Sequence, residues 1–134
     1  MTFIHGKNTV VKLNSTDLSA YATKSVFTRA ADTHDITTFG ANDYAYQGGL
    51  GKADASIDGI YDNTATTGPR DLIEPLIGTT VTFVRQPEGT GTGKAQDSVS
   101  VVVEKYVETS PVADMVTWSV DLKCTGAVTS TDQA

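Results

Sequence analysis

Alternation of apolar and polar positions is the main pattern along the chain, and it predicts a protein built mostly of β-strands. In 52–62, Ala53, Ala55 and Ile57 alternate with polar residues, so one face of this strand is apolar and the other polar. Similar runs predict further strands at 9–13, 24–30, 79–86, 98–108 and 115–126. Turn residues separate these runs at intervals typical of all-β domains, so the predicted fold is an antiparallel β-sandwich or partial barrel.

One short α-helix is predicted among these strands, over 69–77. Pro69 suits the first helical position and Gly78 suits the stop, whereas Pro75 limits the helix because proline lacks the N–H needed inside it. The residues expected on its buried face are Leu72, Ile73, Leu76 and Ile77. At 134 residues, with 39% apolar and 19% charged side chains, the chain is expected to form a single domain, 1–134, around one core.

The end of the chain combines a strand with a polar tail. In the last predicted strand, Trp118, Val120, Leu122 and Cys124 share one face, so we expect the Cys124 thiol to be buried and unreactive. Because this cysteine is the only one, a single chain can form neither a disulfide nor a cysteine-based metal site. The last residues, 127–134, are polar and are expected to be loose.

The segment 32–50 interrupts the strand pattern and is predicted to be a long loop. It is rich in glycine, which disfavours both a helix and a continuous strand, yet it carries Tyr44 and Tyr46 close together. Aromatic side chains stabilise a structure most when they are buried. Either the loop folds back on its own core, or another molecule covers it.

The charge of the chain excludes some partners. The formal net charge is −6 and the sequence pI is about 4.6, which argues against a basic nucleic-acid reader and against a surface that seeks anionic lipid. No apolar run approaches the roughly 20 residues of a membrane-spanning helix. The first residues lack the apolar core of a signal peptide, so we expect synthesis in a reducing cytoplasm.

Motifs that would indicate catalysis or cofactor binding do not fit this sequence. The stretch GTGTGK at 89–94 lacks the first glycine and the final Ser or Thr of a phosphate-binding loop. His5 and His34 are far apart and have no metal-ligand spacing. No serine lies in G-x-S-x-G, and nothing singles out a pair of catalytic carboxylates. We therefore expect no enzyme activity, no cofactor and no metal.

Several stretches together resemble the tail tube (major tail) proteins of long-tailed bacteriophages, especially those of actinobacterial hosts. These stretches are HGKNTVVKLNSTDLSAY, DITTFG, GGLGKADASIDGIYD, GPRDLIEPLIG, VTFVRQPEG and VSVVVEKYVETSPVADMVTWSVDLKCTG. Each is only a strand or turn signature, but their order and spacing cover nearly the whole chain.

The resemblance implies hexameric rings of this chain that stack into a hollow tube, through which DNA passes without specific binding. It also implies a place in the virion tail, assembly in the host cytoplasm, and the tape measure, tail terminator and distal tail proteins as partners. In such proteins a long loop reaches into the neighbouring ring, and 32–50 lies where that loop would be. The residues expected at this contact are Phe39, Tyr44, Tyr46 and Leu50.

Three carboxylates are candidates for the wall of such a channel. Asp54 and Asp58 share the polar face of one predicted strand, and Asp121 lies on the polar face of another. If these faces line the lumen, their charge repels DNA phosphates, so that DNA slides rather than binds. An ordinary solvent-facing sheet is the alternative explanation for the same residues.

Two other functions stay open at this point. A capsid decoration or head–tail connector protein would have a similar small β fold in the same virion. A free β-sandwich that binds sugar or peptide would use exposed aromatics, but Tyr44 and Tyr46 are the only close aromatic pair.

Overall fold

A computed structural model describes residues 3–63 and 68–134, and the strands in these two ranges form one antiparallel sheet. The order across the sheet is β2-β1-β5-β6-β7-β4-β3. The strands are β1 (Val10–Leu13), β2 (Thr16–Asp17), β3 (Ala22–Asp35), β4 (Tyr46–Ile60), β5 (Thr80–Gln86), β6 (Ala95–Thr109) and β7 (Thr117–Asp132). The sheet does not close on itself, because β2 and β3 remain as its two edges. The predicted class, a mainly β sandwich or partial barrel with one short helix, is therefore confirmed.

The predicted helix is present but is shorter than 69–77. An α-helix, α1, covers Pro69–Ile73, and a 3-10 turn follows at Glu74–Leu76. The change falls at Pro75, which has no N–H to continue the α-helical hydrogen bonds. Ile73 is buried, but Ile77 is 44% exposed, so the prediction that Ile77 belongs to the buried face is wrong. A second 3-10 turn, Gly6–Asn8, precedes β1.

The sheet curls so that its two halves face each other. The rings of Phe27 in β3 and Phe83 in β5 stack with centroids 6.0 Å apart. These strands are four positions apart in the sheet, which in a flat sheet would separate them by about 19 Å. Only a strongly bent sheet brings the two rings together, and the bend turns one face of every long strand toward a common interior.

That interior is filled by the apolar face predicted from the alternation. The buried side chains that pack together come from five strands, from Leu18 and from α1: Val11, Leu13, Leu18, Ala55, Ile57, Ile73, Phe83, Val99, Val101, Val103, Trp118, Val120 and Leu122. Complete removal of this much apolar surface from water is the main stabilising contribution to the fold.

Irregular pairing between β6 and β7 helps the sheet to bend. The register passes from Ser98 opposite Thr129 to Ser100 opposite Thr125, so β7 carries two more residues than β6 across this step. Gly126 lies in the bulge with φ +85°, a left-handed conformation that suits glycine. Such bulges bend a strand and increase its twist.

Trp118 is the largest side chain of the core, and a glycine makes room for it. Its indole Nε1 donates to the carbonyl oxygen of Ile60 at 3.2 Å. Gly59 passes over the ring so closely that a Cβ there would overlap the carbonyl oxygen of Tyr21 and lie 2.7 Å from the indole nitrogen. The strand β4 can therefore cover Trp118 only with glycine at this position.

The predicted loose end at 127–134 is wrong for most of its length. β7 continues to Asp132 and pairs with the first residues of β6. Beyond it, the side chain of Gln133 donates to the carbonyl oxygen of Gly89 at 2.8 Å and accepts from the N–H of Gly91 at 3.1 Å. Both faces of this part of β7 lie near solvent, so polar residues occur on both of its sides. No apolar alternation therefore marks it as a strand in the sequence.

Cys124 is half-buried rather than fully buried. It packs against the edge of the core, and burial followed by the charge of Asp54 raises the pKa of its thiol. The predicted face is confirmed, but the expected complete burial is not.

Replacing Gly59 by alanine is expected to destabilise the fold by about 2 kcal/mol or more, because the added methyl group forces Trp118 or the backbone of Tyr21 to move. Urea unfolding followed by tryptophan fluorescence measures this change. The matched control is Gly48→Ala, since a Cβ at Gly48 meets nothing within 4 Å. Equal midpoints for the two variants would contradict the close packing of β4 over Trp118.

Native Cys124 is expected to react slowly with a thiol reagent at pH 7–8, because its raised pKa leaves less thiolate and because burial limits access. The measurement is the rate of reaction with a disulfide reagent before and after unfolding. In the control, Thr125→Cys in a Cys124→Ser background moves the thiol to an exposed position of the same strand. That thiol should react several times faster; a native Cys124 that reacts as fast would contradict the register of β7.

Candidate assembly surfaces

A long arm projects from the body of the molecule where a loop was predicted. We define the arm as residues 30–52, the outer half of the β3–β4 hairpin; every residue from 28 to 52 is exposed. The strands stay paired from Ala30 opposite Lys52 to Asp35 opposite Tyr46, so the predicted loop 32–50 is reduced to 36–45. Backbone pairing needs no particular side chains, so the three glycines in the arm part of β4 do not prevent it.

The arm carries apolar side chains that touch no core. Phe39 is fully exposed, Tyr44 is 79% exposed, Tyr46 is 62% exposed and Leu50 is 81% exposed. The two tyrosine rings stack on each other with centroids 6.3 Å apart. The first alternative from the sequence, a loop that folds back on its own core, is therefore wrong in this structure.

The tip of the arm is held by its own hydrogen bonds. The N–H of Ile36 donates to the carbonyl oxygen of Ala45 at 2.9 Å, and the N–H of Ala45 donates to the hydroxyl of Thr37 at 2.8 Å. Thr37 in turn bonds to the carboxylate of Asp35, which lowers the pKa of that carboxyl group. The aromatic side chains are thus presented on a preformed tip rather than on a chain that only a partner orders.

The exposed apolar area of the arm is large enough for a binding site. Aromatic side chains bury roughly 150–250 Å² each when they are covered, so the three rings alone expose on the order of 500 Å². The largest apolar patch of a typical monomer is of this size and is often a binding site. The arm is therefore the strongest candidate for contact with another molecule.

The opposite end of the molecule also exposes apolar side chains. Ile60 lies opposite Thr117 in the β4–β7 pairing, so the β6–β7 turn lies at the far end of β4 from the arm. In and beside this turn Val112 is fully exposed and Met115 is 64% exposed. Two different apolar surfaces at opposite ends suit contacts between head and tail of successive copies.

The three predicted wall residues lie together on the outer face of the sheet. Asp54 and Asp58 alternate along β4 with Ser56, and Ser56 is opposite Asp121 in β7. The alternation with buried Ala55 and Ile57 directs this face away from the core. The structure thus brings the three carboxylates to one surface, although none of them is buried.

Lysines compensate much of the charge on this outer face. Lys123 lies 3.3 Å from Asp54, and Lys105 lies 3.4 Å from Asp121. Each of these ion pairs is exposed enough that it contributes little to stability, but it cancels the charge locally. The sequence prediction considered only the carboxylates of this face. Lys123 lies two residues after Asp121 and so shares its face, which was the available signal that this face carries charges of both signs.

Residues that were considered for metal binding serve local structure instead. The Nδ1 of His5 accepts from the N–H of Lys7 at 3.1 Å, and His34 lies in the arm against Gly49. Within 3–63 and 68–134, no group of three or more potential metal ligands comes together. No helix in these ranges is long and apolar enough to cross a membrane.

Comparison with known proteins finds similarity in structure alone. No protein-family model matches the chain, and no curated protein matches it in sequence. Among solved structures, a chain from the virion of a native gene transfer agent particle has a TM-score of 0.77 at 14% identity, covering 96% of this chain and 99% of that chain.

Two further structures share the fold. The SPP1 tail tube has a TM-score of 0.78 at 11% identity, covering 98% of this chain and 80% of that chain. The tail of an empty gene transfer agent particle, which has C6 symmetry, has a TM-score of 0.72 at 18% identity, covering 96% of this chain and 99% of that chain. This chain therefore shares its fold with the SPP1 tail tube and with chains of the virion and tail of gene transfer agent particles.

Proposed function

We propose that this protein is the subunit of a tail tube and that it works by assembling with copies of itself. The observation that carries the proposal is the tail tube fold itself, which extends over nearly all of the chain, arm included. The arm supports it independently, because its large apolar surface is left exposed by residues 3–63 and 68–134.

In this proposal six copies form a ring and the rings stack. The C6 symmetry of the similar gene transfer agent tail supports the number. Stacking follows from the two unlike apolar ends, because the aromatic tip of the arm on one copy contacts the β6–β7 turn of a copy in the next ring. A contact between unlike surfaces repeats without closing, so it generates a filament rather than a dimer.

The proposed tube belongs to the virion of a long-tailed phage and conducts DNA during ejection. Assembly takes place in the cytoplasm of the host, for which the sequence resemblance suggests an actinobacterium. The tube ends contact the tail terminator and distal tail proteins, and the lumen holds the tape measure protein before DNA passes. These assignments rest on the resemblance and on the neighbours' presence in virion tails.

Electron microscopy of the purified protein tests the proposal directly. We expect tubes or hexameric rings at micromolar concentration. Trimers would favour a decoration protein, and stable monomers would favour a free binding module.

Replacing Phe39, Tyr44 and Tyr46 together by serine is expected to abolish tube formation while leaving the subunit folded. The three rings lie outside the core, so their removal should change the free energy of unfolding by no more than about 0.5 kcal/mol. Sedimentation and microscopy measure assembly, and urea unfolding measures stability.

The control for the arm replaces three polar residues of the same hairpin, Thr38, Asn42 and Gln47, by alanine. This variant keeps the aromatic surface and should still assemble. Normal tubes from the serine variant would refute the arm as a stacking contact. Loss of tubes in both variants would indicate that the contact is made by the rest of the arm rather than by its aromatic side chains.

We further propose that the outer face with Asp54, Asp58 and Asp121 lines the channel. Asp58 is the most informative position, since no ion pair of its carboxylate occurs among the described residues, whereas the other two are paired. Asp58→Lys should make the wall attract phosphate and slow DNA ejection, more strongly at low salt because screening is weaker there. Ejection kinetics of phage carrying the variant, followed by fluorescence of released DNA, measure the effect.

The matched control is Asp132→Lys, which makes the same change of charge away from the outer face. Asp132 follows Ser130 by two residues, and the hydroxyl of Ser130 bonds to Asp97 on the inner face. Phage that carries this control variant should eject DNA at the unchanged rate. Equal rates for both variants and the unmodified tube at low salt would exclude the outer face as the channel wall.

A further inference from the structure

A basic cleft lies at the seam where β1 and the edge strand β3 of the curled sheet approach without pairing. It has a volume of about 430 Å³, within the range of small-molecule sites, and lies between β1 and the first residues of β3. Its charged lining residues are Lys7, Lys24 and Arg85, and no acidic residue lines it. In a chain of net charge −6, a cleft whose charged lining residues are all cations is a marked local exception.

These cations form no ion pair with any residue that the structure describes. Five basic residues form ion pairs within 3–63 and 68–134, and neither Lys7, Lys24 nor Arg85 is among them. Asp97, opposite Arg85 in the β5–β6 pairing, binds Arg29 and Ser130 instead. The carboxylate of Asp17 accepts from the N–H of Ser19. Asp58 is opposite Lys24 but forms no ion pair with it.

Two polar side-chain atoms of the lining are buried without a hydrogen-bond partner among the described residues. The Nε of Arg85 and the hydroxyl oxygen of Ser25 are both shielded from solvent and have no hydrogen-bond partner. Buried donors without an acceptor are costly and uncommon in folded proteins. The other hydroxyls of the cleft, of Thr9, Ser19 and Thr23, already bond to backbone groups.

From this arrangement we infer that the seam cleft is an oxyanion site, which takes a phosphate or a carboxylate group. A guanidinium group offers directional N–H donors to such an anion, the two lysines supply charge at the mouth, and the Ser25 hydroxyl adds a donor. The anion comes either from solution, as free phosphate, or from an acidic side chain of a second copy. The site is complete within one chain, so it exists whether or not the chain assembles.

Equilibrium dialysis of labelled inorganic phosphate against the full chain, at constant ionic strength set with chloride, tests the site. We expect saturable binding of one phosphate per chain. Lys7→Gln/Lys24→Gln should weaken it about tenfold, since each exposed lysine contributes only about a few-fold through its charge at the mouth of the cleft. Both lysines are exposed, so the variant should fold normally.

The matched control is Lys12→Gln/Lys94→Gln, which removes two other lysines without ion pairs, both outside the cleft. It should bind phosphate like the unmodified chain. Absence of saturable binding, or equal weakening in both double variants, would overturn the inference, since the latter indicates attraction to overall charge alone.

Dialysis of dissociated and of assembled protein separates the two sources of the anion. If both bind phosphate, the cleft takes a free oxyanion. If assembly abolishes binding, a carboxylate of a neighbouring copy occupies the cleft. Binding only by the assembled protein would contradict a site completed within one chain. A chain that never assembles still gives the first measurement, so failure of the proposed tube function leaves this test intact.

Discussion

The packing of Phe27 on Phe83 is the contact on which the rest of the structure depends. It joins strands four positions apart and so requires the whole sheet to curl. Once curled, each long strand has an inner and an outer face, and a period of two decides which side chains are buried. Two glycines make this curl possible. The bulge at Gly126 allows the bend, and Gly59, which has no side chain, lets β4 pass over Trp118.

A curled sheet that does not close has edges, and its two edges are unequal. β2 is a two-residue strand, whereas β3 is fourteen residues long and pairs on one side only. Long unpaired edges invite association with other chains, and natural proteins usually shorten or cover them. Here the same long edge strand extends into the arm. Self-assembly is therefore a physical solution to the open edge as well as a proposed function.

Much of the fold was predictable from sequence because burial on one face leaves a period of two, as in Ala53, Ala55 and Ile57. Alternation gives no signal where pairing occurs without burial. The arm and the end of β7 pair through backbone hydrogen bonds while both of their faces stay near solvent, so glycine and polar residues there suggested loops. The aromatic residues picked from the sequence are exposed on the arm, and their contact with another copy stays a prediction. The seam cleft was not predicted, because Lys7, Lys24 and Arg85 are far apart in sequence.

The charge distribution sets the seam apart from the rest of the surface. The lysines of the outer face are paired with carboxylates, but three of the five cations that form no ion pair within 3–63 and 68–134 line the seam. Bringing β1 and β3 together would press these like charges into a narrower, less solvated space, where their repulsion rises. The backbone of Val11 in β1 is already bonded on that side, because its N–H donates to the hydroxyl of Ser19 and its carbonyl oxygen accepts from the N–H of Leu18. The proposed oxyanion would therefore relieve the repulsion between the cations without any pairing of β1 with β3.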